Sequence, residues 1–479
     1  MTGPAAVRSA VVIGGGLAGI TAAIALREAG VGVTLLEARP RLGGATASFS
    51  RDGLMVDTGQ HVFLRCCTSY QELLATLGVA GSVALQDRFD VTVLSPGKKE
   101  SRLRRSALPA PLHLSRALLG YQLLSLRERL GVGRAALALR GLDPALPGVD
   151  GQRLGDWLGA RGQNENVRRR LWDLFVVSSL NIDGDDASLS LAATVLKTAL
   201  LEGNSAADIG VPVVPLGDLH GRAAGDLLDR LGARVRLATK ATAVERDPAG
   251  GFRVRVASAA GTEDPDIPDV PDEPGGSDGE VIGADAVILA LPAAPAARLA
   301  AAAGAAGARW DELGTSPIVN VHVVYDRQVT RLPFAAAVDS PVQWVFDKTR
   351  TSGLQTGQYL AISLSAADNY VDVPVAALRE RFLPALAELF PAAAGAAVND
   401  FFVTRERRAT FRQAPGCGAL RPGATTTVPG LLLAGAWTDT GWPDTMEGAV
   451  RSGRTAAQEL IHALARPATH ERAAAGSPS

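Results

Sequence analysis

Gly14, Gly16 and Gly19 fit the spacing G-x-G-x-x-G, and Glu37 follows eighteen residues after the last of them. These are the parts that hold a dinucleotide. Gly14 permits a tight turn, Gly16 lets the backbone approach a pyrophosphate, and Gly19 lets a helix pack closely on a strand. Leu17 and Ala18 place their amides at the start of that helix, where phosphate oxygens are well held. A carboxylate at Glu37, followed by Ala38, can accept the hydroxyls of an adenosine ribose, and it repels a 2′-phosphate, which disfavours NADP.

A glycine triplet alone is a weak signal, so its setting matters. Residues 10–13 (AVVI) read as a buried parallel strand, 17–28 as a helix and 31–37 as a second strand, which makes one βαβ unit. Near the other end, 430–434 reads as a strand, 435–441 as a turn and 446–457 as a helix of small residues. Strand-like runs at 234–237, 252–256 and 286–291 complete the pattern, with Ala241 and Val244 between the first two as further candidate cofactor contacts. Segment 257–280 holds eight acidic residues, four prolines and no Lys or Arg, so it reads as a flexible surface loop. The tail 467–479 reads as disordered.

Composition excludes several classes. Over 479 residues, 48 Lys and Arg balance 49 Asp and Glu, which argues against a nucleic-acid partner. Cys66, Cys67 and Cys417 make neither a disulfide framework nor a zinc site, and the six histidines include no HxxxH pair, so no metal is expected. No apolar run reaches the ~18 residues of a membrane span, and the N-terminus lacks the features of a signal peptide. The expected location is the cytoplasm, with attachment to the inner face of the cytoplasmic membrane kept open. Segment 97–140 motivates that option: it carries ten Lys and Arg against two Glu. Within it Leu114, Ala117, Leu118, Tyr121 and Leu124 recur at helical spacing, as on a basic amphipathic helix at a membrane interface. The plainer reading, a helix packed on the core with a solvated basic face, has more weight.

Arg41-Leu42-Gly43-Gly44 resembles the R-x-G-G extension of the flavin amine oxidase and carotenoid desaturase superfamily, which lies along the FAD diphosphate. That family usually continues with a second Arg, where this chain has Ala45. The segments Gly435–Gly441 and 446–457 resemble the part of that fold that meets the flavin. This resemblance implies FAD contacts at Gly435, Trp437, Asp439, Met446, Glu447 and Gly448. Asp439 would stand in for the usual acid after the first glycine, which is Ala436 here.

A closer resemblance lies in Asp57-Thr58-Gly59-Gln60-His61, similar to a signature of hydroxysqualene dehydroxylases, squalene-associated flavoproteins of bacterial hopanoid pathways. Ser179-Leu180-Asn181, 211–216, Gln343-Trp344-Val345-Phe346-Asp347, 408–411 and Trp437–Gly441 match in the same order. The implied fold is α/β: a Rossmann-like FAD-binding domain of the amine oxidase type, from 8–85, 205–310 and 425–466. An α+β substrate domain, 86–204 and 311–424, is inserted in it. The implied reaction is reduction of the isoprenoid hydroxysqualene to squalene, with hydride from FADH2 and loss of water.

Such chemistry needs an apolar tunnel and one general acid. Segments 154–201, 318–325 and 359–364 could line a tunnel or simply form core. His61 is the first candidate acid, because Gly59 and Gln60 beside it are expected to meet the flavin; an equal reading gives it only a hydrogen-bonding role. Tyr325, Asp57 and Asp439 are weaker candidates, and His322 reads as structural. An oxidative desaturase or amine oxidase is the alternative, although an aromatic content of 5% offers little for an amine cage. A non-catalytic isoprenoid carrier is the second.

Overall fold

The computed structural model describes residues 9–258, 279–305 and 309–465. Most of the expected acidic loop (259–278) and the tail 467–479 lie outside the described residues. The ends of that loop are strands: Phe252–Ser258 pairs antiparallel with Glu280–Ala284, so the expected loop begins later and ends earlier than its composition suggests.

Five parallel strands carry the glycine segments. Their order is Arg234–Arg236, Gly32–Leu36, Ser9–Ile13, Ala286–Leu289 and Leu431–Leu433. Ala10 pairs with Val33 on one side and Ala286 on the other. All four residues of Ala286–Leu289 are buried, because both faces of a parallel sheet are covered, and this is why the strand is an unbroken apolar run. Helix Leu17–Glu28 is buried nearly all round, from Leu17 through Leu26. Helix Met446–Ala465 lies against it so closely that a Cβ on Gly453 would fall on the Ala18 carbonyl.

A seven-stranded sheet stands beside this unit. Its order is Val398–Thr410, Ser316–Tyr325, Gln358–Leu364, Trp344–Asp347, Phe334–Ala337, Asp90–Leu94 and Ser101–Arg104. Neighbours run antiparallel except for Phe334–Ala337 beside Asp90–Leu94. Side chains alternate along Ser316–Tyr325. Val319, Val321, Val323 and Tyr325 share a core with helix Val375–Leu389, whereas Val324 packs on Val56 of the hairpin Ser48–Arg51 and Leu54–Asp57. Tyr325 therefore faces away from the cofactor unit, which removes it as a candidate acid.

Helices between residues 112 and 201 cover the remaining side. The expected amphipathic helix is two: Ser115–Gly120 and Leu126–Arg140. Ala117, Tyr121 and Leu124 are buried, and Leu114 and Leu118 pack against the same core. The plainer reading holds for these five, because their spacing matched the protein interior as well as it matched a bilayer.

Candidate active site

The strand-to-helix turn after Ile13 forms the first part of the site. Gly14 sits at φ +109°, and a Cβ there would collide with the Ala290 carbonyl beyond the neighbouring strand, while one on Gly19 would collide with the Gly14 carbonyl of the turn itself. Gly16 differs: the nearest heavy atom to a Cβ there is Gly44 Cα, at 3.9 Å. Gly16 is also the N-cap of its helix and contributes no side-chain cap, so the first-turn amides at Leu17 and Ala18 are left for an anion. The second glycine pair closes on the first, since the Gly43 amide donates to the Gly15 carbonyl at 2.9 Å. A Cβ on Gly44 would stand 3.0 Å from Gly16 Cα, and half-buried Arg41 flanks this cradle. Glu37 is oriented from both sides: Gly15 N donates to its Oε2 at 2.6 Å and Arg39 N to its Oε1 at 2.8 Å. Ala38 is exposed beyond it.

The C-terminal turn is built around Arg421, a residue in none of the sequence motifs. Its buried guanidinium donates to the carbonyls of Ala436 (3.1 Å), Trp437 (3.2 Å), Thr438 (2.6 Å) and Trp442 (2.7 Å). A fork of donors of this kind fixes a loop that has no ladder of its own. Gly435 N donates to Ser452 Oγ, and Trp437 Nε1 donates to the Leu291 carbonyl at 2.8 Å while its ring lies 5.5 Å from Trp310. Asp439 is exposed and accepts from Gly441 N. Met446 opens the last helix, and Gly448 N donates to Thr445 Oγ1. The Glu447 carboxylate turns away from this helix start: it accepts from Ser69 N, Tyr70 N and Arg451 Nε, capping helix Thr68–Thr76. What Glu447 offers a ligand is therefore its backbone. The same holds for Val244, whose side chain is buried in the core next to the irregularity at Ala241 and Ala243.

The loop after Asp57 meets the seven-stranded sheet. Asp57 Oδ1 accepts from Ser48 Oγ at 2.6 Å and Leu216 N at 3.0 Å, and Oδ2 lies 2.8 Å from Lys348 Nζ. Two residues past Gly59, His61 Nε2 stands 3.1 Å from the Ala45 carbonyl, an arrangement in which that nitrogen carries the proton and donates. Burial pushes the His61 imidazole below its ordinary value; the Ala45 carbonyl and Asp57 oppose this, and Lys348 adds to it. Gln60 Nε2 is buried with no hydrogen-bond partner among the described residues. Behind them, His322 is fully buried between Tyr359 Oη (2.7 Å from Nδ1) and Thr404 Oγ1 (3.0 Å from Nε2), with Phe402 stacked at 4.5 Å. Burial holds His322 at about 3, a neutral structural ring.

The comparisons with known proteins bear on this geometry. A model of flavin containing amine oxidoreductases matches residues 17–461. The chain belongs to that family. Among relatives of this oxidoreductase, a hydroxysqualene dehydroxylase of Rhodopseudomonas palustris is 29% identical over 94% of this chain and 98% of its own length. A 15-cis-phytoene desaturase of Narcissus pseudonarcissus is 25% identical over 94% of this chain and 79% of its own. Cyclohexylamine oxidase from Brevibacterium oxydans shares the fold at a TM-score of 0.65 and 20% identity, covering 96% of this chain and 100% of that one. The protein is thus an FAD-dependent oxidoreductase of the amine oxidase and carotenoid desaturase superfamily. The residues suit the cofactor: open space over Gly16, uncapped first-turn amides, an oriented Glu37 and the unpartnered Gln60 amide are what a flavin dinucleotide would use.

Two residues besides Arg421 escaped the sequence. Lys348 follows the Gln343–Asp347 segment, where a lone lysine carried no signal. Asp444, two residues before Met446, accepts from Phe411 N at 2.9 Å, and burial raises its carboxyl to about 6. Among the described residues, no group of three or more His, Cys, Asp or Glu could hold a metal, and no helix is long and apolar enough to cross a membrane.

Proposed function

We propose that this oxidoreductase reduces hydroxysqualene to squalene, breaking the allylic C–O bond with loss of water. The observation that carries the reading is the spatial meeting of the segments that resemble the dehydroxylases: Lys348, next after Gln343–Asp347, pairs with Asp57 at the head of Asp57–His61. The full-length likeness to a dehydroxylase supports the same choice. Bound FAD, once reduced, supplies the hydride.

The chain's own residues would supply the rest. Phe334, Phe346 and Trp437 belong to one apolar cluster, with Trp344 packed on it, and apolar surroundings of this kind keep water from an allylic cation. The departing hydroxyl needs a proton. Asp444, raised to about 6 beside the C-terminal turn, is the better donor, since half-buried His61 is held neutral and already donates to Ala45. His61 then acts by fixing the loop that presents Gln60. In this reading 8–85, 205–310 and 425–466 form the cofactor part and 86–204 with 311–424 the substrate part, and the isoprenoid substrate draws the protein to the inner face of the cytoplasmic membrane.

The test is a single turnover: protein reduced anaerobically, mixed with detergent-dispersed hydroxysqualene, and followed by flavin absorbance and product mass. Squalene formed in proportion to flavin reoxidation supports the proposal. Bound substrate without reoxidation would favour desaturation of another isoprenoid, the reading that the phytoene desaturase likeness keeps in second place.

A further inference from the structure

Segment 108–146 exposes an unusual number of large apolar side chains. On helix Leu126–Arg140, Leu126, Leu130 and Leu137 are each more than half exposed, at 62%, 57% and 61%. Their spacing of four and then seven residues puts all three on one side of the helix. The opposite side, Val132, Ala135 and Leu139, is buried in the cluster that also contains Trp437. The preceding turn repeats the arrangement, with Leu112 and Leu119 exposed and Arg116 between them. Arg129 joins the two stretches by donating to the carbonyls of Leu119 (2.6 Å) and Leu124 (2.8 Å), so the exposed leucines form one rigid face.

The charges around this face have one sign. Arg127 and Arg134 flank the leucines on one side and Arg140 on the other; these three and Arg116 are exposed and form no ion pair among the described residues. The single acid of these helices, Glu128, is turned inward: it closes a capping box with Ser125 and accepts from Asn164 and Asn166. Of the other basic residues in 97–140, Arg102 and Arg104 are neutralised by Asp90, Arg105 by Asp208 and Lys98 by Asp339.

We propose that this face docks on an anionic phospholipid bilayer, the leucines entering the interface and the four arginines meeting the headgroups. Exposed leucine on a fixed helix is costly in water and favourable at an interface, and unpaired arginines gain from anionic lipid. The inference rests on the isoprenoid reading for what the protein seeks in the bilayer, but its test uses no substrate.

The experiment is flotation of the flavin-loaded full chain with phosphatidylglycerol vesicles or phosphatidylcholine vesicles, for the wild type, for Leu126→Ser/Leu130→Ser/Leu137→Ser and for Arg127→Glu/Arg134→Glu. Wild type should float with the anionic vesicles and far less with the neutral ones. Both variants should partition at least about tenfold more weakly, with flavin absorbance and turnover of detergent-dispersed substrate unchanged. Equal flotation of the wild type and the leucine variant overturns the proposal. So does a wild type that ignores both vesicles and is a dimer that the leucine variant dissolves, which would make the face an interface between copies. Loss of turnover on detergent-dispersed hydroxysqualene by the wild type, with anionic flotation intact, would defeat the substrate reading and leave the docking face standing.

Discussion

Lys348 Nζ and Asp57 Oδ2 lie 2.8 Å apart with side chains only 12% and 3% exposed, and they bind the end of the middle strand of the seven-stranded sheet, Trp344–Asp347, to the loop that holds Gln60 and His61. Removing one partner of a buried pair strands the other charge, a loss of about 3–5 kcal/mol. Lys348→Met should lower unfolding free energy by that order in denaturant titrations. Adding Asp57→Asn to it should recover much of the loss. A double variant as unstable as the sum of the two single variants would mean that the pair is not coupled.

Gly16→Val fills the only open position of the first glycine turn. The variant should purify colourless while keeping its far-ultraviolet circular dichroism. Retained flavin would remove this turn as the pyrophosphate site.

Arg421→Lys keeps the charge and loses the fork. An ammonium cannot reach four carbonyls, and each charged hydrogen bond given up is worth about 1.5–3 kcal/mol. Flavin release should become markedly faster, measured by ultrafiltration of the loaded protein. Unchanged release would show that the 435–442 turn stands without the guanidinium.

Asp444 titrates at about 6 because burial disfavours its charged form, so the protonated species required of an acid is depleted as pH rises beyond that value. The expected kcat/KM profile falls above pH 6, and Asp444→Asn should abolish that limb while lowering the rate by about 10²–10⁴. A limb that survives in Asp444→Asn and vanishes in His61→Ala would return the role to His61.

His220 and His322 are buried and neutral, held at about 4 and about 3. An unfolded histidine protonates near 6.5, so between these values the unfolded chain binds more protons than the native one. The stabilisation is complete above that range and is lost as pH falls. The melting temperature should therefore drop steeply from pH 6.5 to pH 4, and His322→Phe should flatten the slope. An unaltered slope would place the acid sensitivity elsewhere.

Much of this architecture was legible because it is local. The βαβ unit could be read from the glycine spacing and the β-branched run, and helix Leu17–Glu28 lies where its pattern places it. The family could be read from short segments in order. What escaped depends on contacts across the chain. Arg421 matters through carbonyls up to 21 residues away, and Lys348 through an aspartate on another layer. The apolar stripe at 114–124 stayed between two readings for a different reason. Period alone cannot say which apolar stripe faces inward, and in 108–140 two stripes compete: Tyr121 and Leu124 went into the core, and Leu126, Leu130 and Leu137 stayed outside.

The contact of Gly453 with Ala18 has a consequence for how the enzyme is made. The first helix of the chain is covered by the last, and the parallel sheet begun at Ser9 is completed only by Leu431–Leu433. A nascent chain holds its opening βαβ unit with an apolar helix face uncovered until residues 446–465 have been made. Stable cofactor capture then waits for those residues, and a chain cut short before residue 446 loses the cover of its first helix.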